Sequence, residues 1–181
     1  MRVRSLLLFV STEIACVAII IGAAQGAEPS LIRVRSSGDA TVTTLLHDAS
    51  ERSTTFRRLV ETIGHTNGLV YVDPGKCKPG FAACLVMSVK VSGPNRLLRV
   101  VVDTGRKPPE VMASIGHELQ HAIEALSEPG VTNDALLHAF FERLAGGPAA
   151  TGQLEFETDA AVKAGDTVLK EVTEWINHAR K

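Results

Sequence analysis

The strongest constraint in this chain is a proline-bounded stretch, residues 108–130, that carries two histidines four positions apart. Pro108 and Pro109 suit the first turn of a helix, where a missing N–H costs nothing. Pro129-Gly130 forces a stop. Between them Val111, Met112, Ile115, Leu119, Ala122, Ile123 and Leu126 recur at helical spacing. This pattern predicts one amphipathic helix with His117-Glu118-Leu119-Gln120-His121 at its middle. His117 and His121 then project from the same face, and two imidazoles so placed can share one metal ion. Glu118 lies beside them, where its carboxylate can take a proton from a water that the metal acidifies.

The run Ile115-Gly116-His117-Glu118-Leu119-Gln120-His121-Ala122 resembles the active-site helix of the H-E-x-x-H zinc metallopeptidases. A wider run, from Arg96-Leu97-Leu98-Arg99-Val100 to Phe156-Glu157-Thr158, resembles small secreted bacterial proteins. That similarity covers most of the chain after the leader, and its specificity rests on the five-residue motif. The resemblance implies a zinc-dependent hydrolase of peptide bonds, of the metalloendopeptidase kind. Its cofactor would be Zn2+ on His117 and His121, its general base Glu118, and its substrate a peptide or protein.

A catalytic zinc takes three protein ligands. The metzincin pattern requires Gly at position 124 and a ligand at position 127, where this chain has Glu124 and Ser127. The gluzincin pattern takes a Glu from a later helix, which points to Glu157, with Ala160 and Ala161 as small residues letting the two helices approach. Glu124, Glu155, Asp159 and His138 are its rivals. Glu124 shares the histidine face, but three groups from one straight helix splay around an ion, so it reads better as a surface or outer-layer carboxylate. Asp159 either orients a histidine through its free ring nitrogen or caps the last helix. His138 lies among core-like residues. The oxyanion donor that such chemistry needs stays open among Tyr71, His138 and His178. An extended substrate would add to a strand edge, and Leu97–Val102 is the nearest candidate. The alternative function is a non-catalytic secreted metal-binding or interaction protein that retains the motif. The same ligands also accept other divalent ions.

The N-terminus reads as a separate segment. Arg2 and Arg4 precede Leu6–Val10, Ile14 to Ala24 is almost wholly apolar, and Ala24-Gln25-Gly26 offers small residues at a cleavage point. This is the layout of a secretory signal peptide over residues 1–26, with 27–181 as a single zincin-like domain, secreted or periplasmic. An uncleaved membrane anchor is the alternative, although the apolar run is short for a span, and no stable span is expected once the leader is cleaved. Glu13 interrupts the apolar core and also argues against lipid attachment at Cys16. Removing the leader leaves Cys77 and Cys84, an even pair that in an exported protein reads as a disulfide. Closing so short a loop stabilises by about 2–3 kcal/mol. Without a Cys-x-x-Cys spacing, a metal role for the pair is the weaker reading. A net charge of −1, with no basic run and few aromatics, gives no footprint for nucleic acid.

The remaining patterns predict an α+β fold: a small, mostly antiparallel sheet with helices on one side. Strands are expected over residues 31–35, 69–72, 85–91 and 97–102, the last two as an antiparallel hairpin across Ser92-Gly93-Pro94-Asn95. Helices are expected over residues 41–50 and 53–63, with Ser53 as N-cap and Gly64 as stop. Two more are expected from Thr132 or Asn133 to Ala145, ended by Gly146-Gly147-Pro148, and from Glu155–Thr158 toward Ala179. Leu136, Leu137, Phe140, Phe141 and Leu144 would face inward on the first of these. Ala160, Ala161, Ala164, Val168, Val172, Trp175 and Ile176 would form the stripe of the second.

Overall fold

Alternation of apolar residues builds one buried sheet face. The structure, a computed structural model, describes residues 33–144 and 156–181. Its strands are β1 (Val34–Ser36), β2 (Gly68–Pro74), β3 (Ala83–Leu85), β4 (Lys90–Ser92) and β5 (Asn95–Val102). The register aligns Val34, Val70 and Leu98 in one row and Val72 and Val100 in the next. All five side chains are buried. Residues of odd parity, including Arg35, Tyr71 and Arg99, stand on the other face, as the period of two requires. There the Arg35 guanidinium donates to the Tyr71 hydroxyl at 2.7 Å and Arg99 Nε to Asp73 at 2.9 Å.

The fold is α+β and the sheet is mixed. β5 lies at its centre: β2 runs parallel along one edge, with β1 parallel beyond it, while β3 and β4 run antiparallel along the other. The expected hairpin across Gly93 and Pro94 is present, with Ser92 opposite Asn95 and Gly93 at φ +56°. Its first arm differs from the expected continuous strand over residues 85–91. It breaks into β3 and β4, because Asp134 captures the intervening segment, accepting from Ser88 Oγ at 3.1 Å and the Val89 N–H at 3.0 Å.

Five helices complete the described fold: α1 (Ala40–Arg52), α2 (Thr54–Gly64), α3 (Pro108–Ser127), α4 (Asp134–Leu144) and α5 (Asp159–Ala179). Ser53 caps α2 as expected, accepting from the Phe56 N–H at 2.9 Å. Gly64 is the last helical residue and His65 forms the C-cap, one position later than expected. Glu171 of α5 supports the same helix start, accepting from Ser53 Oγ at 2.5 Å and the Thr55 N–H at 2.9 Å. On α4 only Leu137 and Phe141 are buried; Leu136 and Leu144 are exposed, so the inward stripe is narrower than the spacing implied. On α5, Ala161, Ala164, Gly165, Val168 and Val172 are buried, whereas Ala160 and Trp175 are exposed. Arg52 lies over the Trp175 ring, 4.8 Å from its centroid.

α3 is the hub of the molecule. It packs on β3, β5 and β2 and touches every other helix. Its last turn carries no basic side chain of its own. The C-terminal carbonyls are taken up instead by Arg96 of β5, which is only 4% exposed. Its Nη1 donates to the carbonyls of Glu128 (2.7 Å), Ala125 (3.3 Å) and Val131 (3.3 Å), its Nη2 to that of Leu126 (2.5 Å), and its Nε to the Asn67 side chain (2.9 Å). One planar guanidinium thus satisfies acceptors a helix end normally leaves bare, and its charge complements the negative pole of the helix.

No helix among the described residues is long and apolar enough to cross a membrane. The leader expected over residues 1–26, with Cys16, and the Gly146-Gly147-Pro148 stop and Glu155 lie outside the described residues.

Replacing Arg96 by Met strips the Leu126 and Val131 carbonyls of their donor at similar side-chain volume. Urea unfolding should show a loss of about 3 kcal/mol or more; a variant within about 0.5 kcal/mol of the parent would show that the cap is dispensable.

Candidate metal centre

α3 presents His117, Glu118 and His121 on its exit toward β3 and α5. The helix starts at Pro108 and holds Pro at its first positions, as the missing N–H groups predict. His121 is 5% exposed and Glu118 8%. Glu157 lies just before the last helix: Thr158 is the N-cap, accepting from the Ala161 N–H at 3.1 Å, and α5 begins at Asp159. Glu157 was expected to open that helix; it instead precedes the cap, where its side chain is not tied to the helix barrel.

The structure brings these three groups together. Ligand atoms of His117, His121 and Glu157 all lie within 4.8 Å of one another. His117 Nε2 stands 3.1 Å from His121 Nε2 and 3.5 Å from Glu157 Oε2. Two ring nitrogens facing at that distance, with a carboxylate beside them, form an N, N, O donor set of the type divalent zinc takes. His121 Nδ1 lies 2.9 Å from Glu124 Oε2. A carboxylate only accepts, so Nδ1 is the donor, and in the neutral ring the lone pair then falls on Nε2, the nitrogen that faces His117. Thr158 Oγ1 donates to the other Glu124 oxygen at 2.7 Å, which fixes that carboxylate. Burial raises the Glu124 carboxyl, but the hydrogen bonds from His121, Thr158 and Gln120 outweigh it and hold the group below its ordinary value.

The charged forms of the other groups feel burial directly. Burial lowers the His117 pKa, partly countered by the nearby Glu157, which favours the neutral ring that a ligand must be. Burial pushes Glu118 up to about 7, against the opposing pull of His121 and the hydrogen bond from Leu85. The Leu85 N–H donates to Glu118 Oε2 at 2.7 Å. That bond orients the carboxylate from the sheet edge. Ala82 accepts from the Asp103 N–H and the Val86 N–H donates to Arg99, both at 2.8 Å. Ala82 and Val86 therefore face β5, and alternation turns the backbone of Ala83 and Leu85 outward.

Glycines set the distance between α3 and α5. A Cβ on Gly165 would sit 3.3 Å from His117 Cβ and 3.4 Å from the Ala113 carbonyl. One on Gly116 would sit 2.9 Å from Val168 Cγ2. Close approach is thus made by Gly116 and Gly165, not by Ala160, which is exposed. Both glycines fall inside helical patterns, a position where glycine is costly without a packing reason; that signal was available in the sequence.

Other residues considered for the site are placed as follows. Asp159 is exposed, and neither expected role falls to it, since Glu124 takes the histidine nitrogen and Thr158 caps the helix. His138, half-buried on α4, lines the same recess as Glu118 and His121. Tyr71 is on the opposite sheet face, bonded to Arg35. His178 is exposed near the end of α5, where its Nδ1 donates to the Glu174 carbonyl at 2.7 Å. Of the three oxyanion-donor candidates only His138 is near the motif. Leu97–Val102 has no free edge, because β5 is paired along both sides; the open edge beside Glu118 belongs to β3. Cys77 and Cys84 form a disulfide, Cα atoms 6.0 Å apart, joining the loop before β3 to that strand. His47, Asp48 and Glu51 form a second titratable group on α1, but it is largely exposed and Asp48 is paired with Arg52 at 2.8 Å. Comparison with protein-family models, curated proteins and solved structures finds no match for the chain.

Gly116→Val forces a side chain against Val168, a stiff neighbour. Thermal or urea unfolding should show a loss of about 1–3 kcal/mol, and an unchanged stability would mean that α5 can retreat from α3 freely.

Proposed function

We propose that this protein is a zinc-dependent peptide-bond hydrolase, exported by the leader at residues 1–26 and acting outside the cytoplasm. The observation that carries the reading is the convergence of His117, His121 and Glu157 with Glu118 adjoining them. Residues separated by 36 positions in sequence come together here, and the His121 ring is also hydrogen-bonded by Glu124, which supports the reading. His117, His121 and Glu157 would hold the metal, which supplies a Lewis acid able to acidify water and polarise a carbonyl.

The protein's own groups do the rest. Glu118 accepts the proton from the attacking water and returns it to the leaving amine; a carboxyl brought near neutrality by burial is suited to both steps. The Leu85 N–H keeps Oε2 of that carboxylate fixed, leaving Oε1 for water. Glu124 holds the His121 ring in the ligating tautomer. The outward backbone of Ala83 and the Leu85 carbonyl offer hydrogen bonds to an extended chain laid along β3, a mode that recognises backbone more than sequence.

Metal analysis joined to a proteolysis assay tests this reading. Purified protein should hold about one zinc per chain. Glu118→Ala should keep the zinc and lose activity by about a hundredfold or more. His117→Ala should lose both, and Glu124→Ala should weaken zinc binding by about 10- to 100-fold. Full proteolysis by Glu118→Ala would refute its assigned role. Stoichiometric zinc with no cleavage of any peptide would favour a non-catalytic metal-binding protein instead.

A further inference from the structure

Two recesses flank Glu118 and Glu157, and their chemistry differs. The first, about 300 Å3, also reaches His121. Its walls are Phe81, Leu85, Met87, Phe141 and Phe156, with the Cys77–Cys84 disulfide closing one side. Phe141 stacks on Phe156 with ring centroids 5.6 Å apart and meets the His121 ring edge-on at the same separation. The second recess, on the His117 side, is bordered by Arg106, Glu110 and Asp166.

We infer that the first recess receives a bulky apolar, preferably aromatic, side chain of the substrate, next to the bond that is cut. The inference rests on the hydrolase reading above and adds the class of residue selected. Size supports it: an apolar cavity of about 150 Å3 holds benzene, so this recess takes a phenyl or indole group with room for its chain. Chemistry supports it as well. Among the described residues, outside the motif groups and Glu157, the walls are apolar or aromatic except for His138 and the exposed Lys78. A charged side chain lodged against the apolar walls would lose its water, and outside the motif groups and Glu157 only the exposed Lys78 and His138 stand near to pair it, whereas an aromatic ring buries its surface against Phe81, Leu85 and Met87, the accessible apolar side chains of the lining. Position supports it too. The recess is continuous with the metal ligands at His121 and Glu157 and with the outward backbone of Leu85, so a chain laid along β3 delivers a side chain into it.

Two small probes separate this inference from the reading it rests on. The full chain loaded with zinc is titrated by calorimetry with acetohydroxamate and with 3-phenylpropanohydroxamate, which share a metal-binding head and differ in the phenyl group. The phenyl probe should bind about tenfold tighter or more. Met87→Asp should erase most of that advantage and leave the affinity for acetohydroxamate in place. Phe81→Asp, at a side chain already 37% exposed, should reduce it too and does not depend on a core substitution being tolerated. Stoichiometric zinc with equal affinities for the two probes overturns this inference and leaves the hydrolase reading standing. A phenyl advantage unmoved by both substitutions places the ring elsewhere and overturns it as well. Failure to hold zinc overturns both.

Discussion

The contact on which this molecule turns is the approach of α5 to α3 across Gly116 and Gly165. At each position one helix contributes no side chain: Val168 of α5 packs onto Gly116, and the Gly165 backbone lies against the Cβ of His117. Everything near the motif inherits its geometry from that approach. Thr158, the cap of α5, reaches Glu124 on α3, and Glu124 in turn reaches His121. Glu157 precedes that cap by one residue, so the docking of the helix also sets where its carboxylate falls. A larger residue at either glycine would displace the second helix and with it the third member of the donor set.

α3 is held just as firmly at its far end and from the sheet. Arg96 closes its last turn from β5, a buried charge whose hydrogen bonds go to the carbonyls at the end of that helix and just beyond it, two of which, those of Leu126 and Val131, have no backbone donor among the described residues. It packs on β5 and β3, and Leu85 of β3 pins the Glu118 carboxylate. The disulfide ties the loop before β3 to the strand, so the edge that holds Glu118 is itself covalently braced. Rigid support on three sides is what a site needs if its groups are to be placed before a ligand arrives.

Much of the fold was legible from periodicity. The helices were expected within a few residues of where they lie, because their apolar spacing and the signals at Ser53, Pro108 and Pro129-Gly130 are local. The hairpin at Gly93 was legible for the same reason. The division of residues 85–91 into β3 and β4 was not, since it follows from capture by Asp134, a residue forty-five positions after Val89. The parallel pairing of β2 with β5 was equally hidden: strand pattern shows which face is buried but not which strand lies alongside. Leu136 and Leu144 keep helical spacing on α4 but are exposed among the described residues.

At the site, the pair His117 and His121 and the neighbouring Glu118 were determined by sequence alone, because helix geometry fixes what lies four residues on. Where Glu157, Glu124 and Asp159 stand relative to the two rings was a matter for tertiary structure. Only the packing of α5 could bring Glu157 to the two rings, give Glu124 a histidine nitrogen to hold and leave Asp159 in solvent. The same packing decided that β3, and not β5, offers the open edge. Short-range order is written in neighbouring residues, whereas the meeting of distant ones depends on how whole elements bury their apolar faces together.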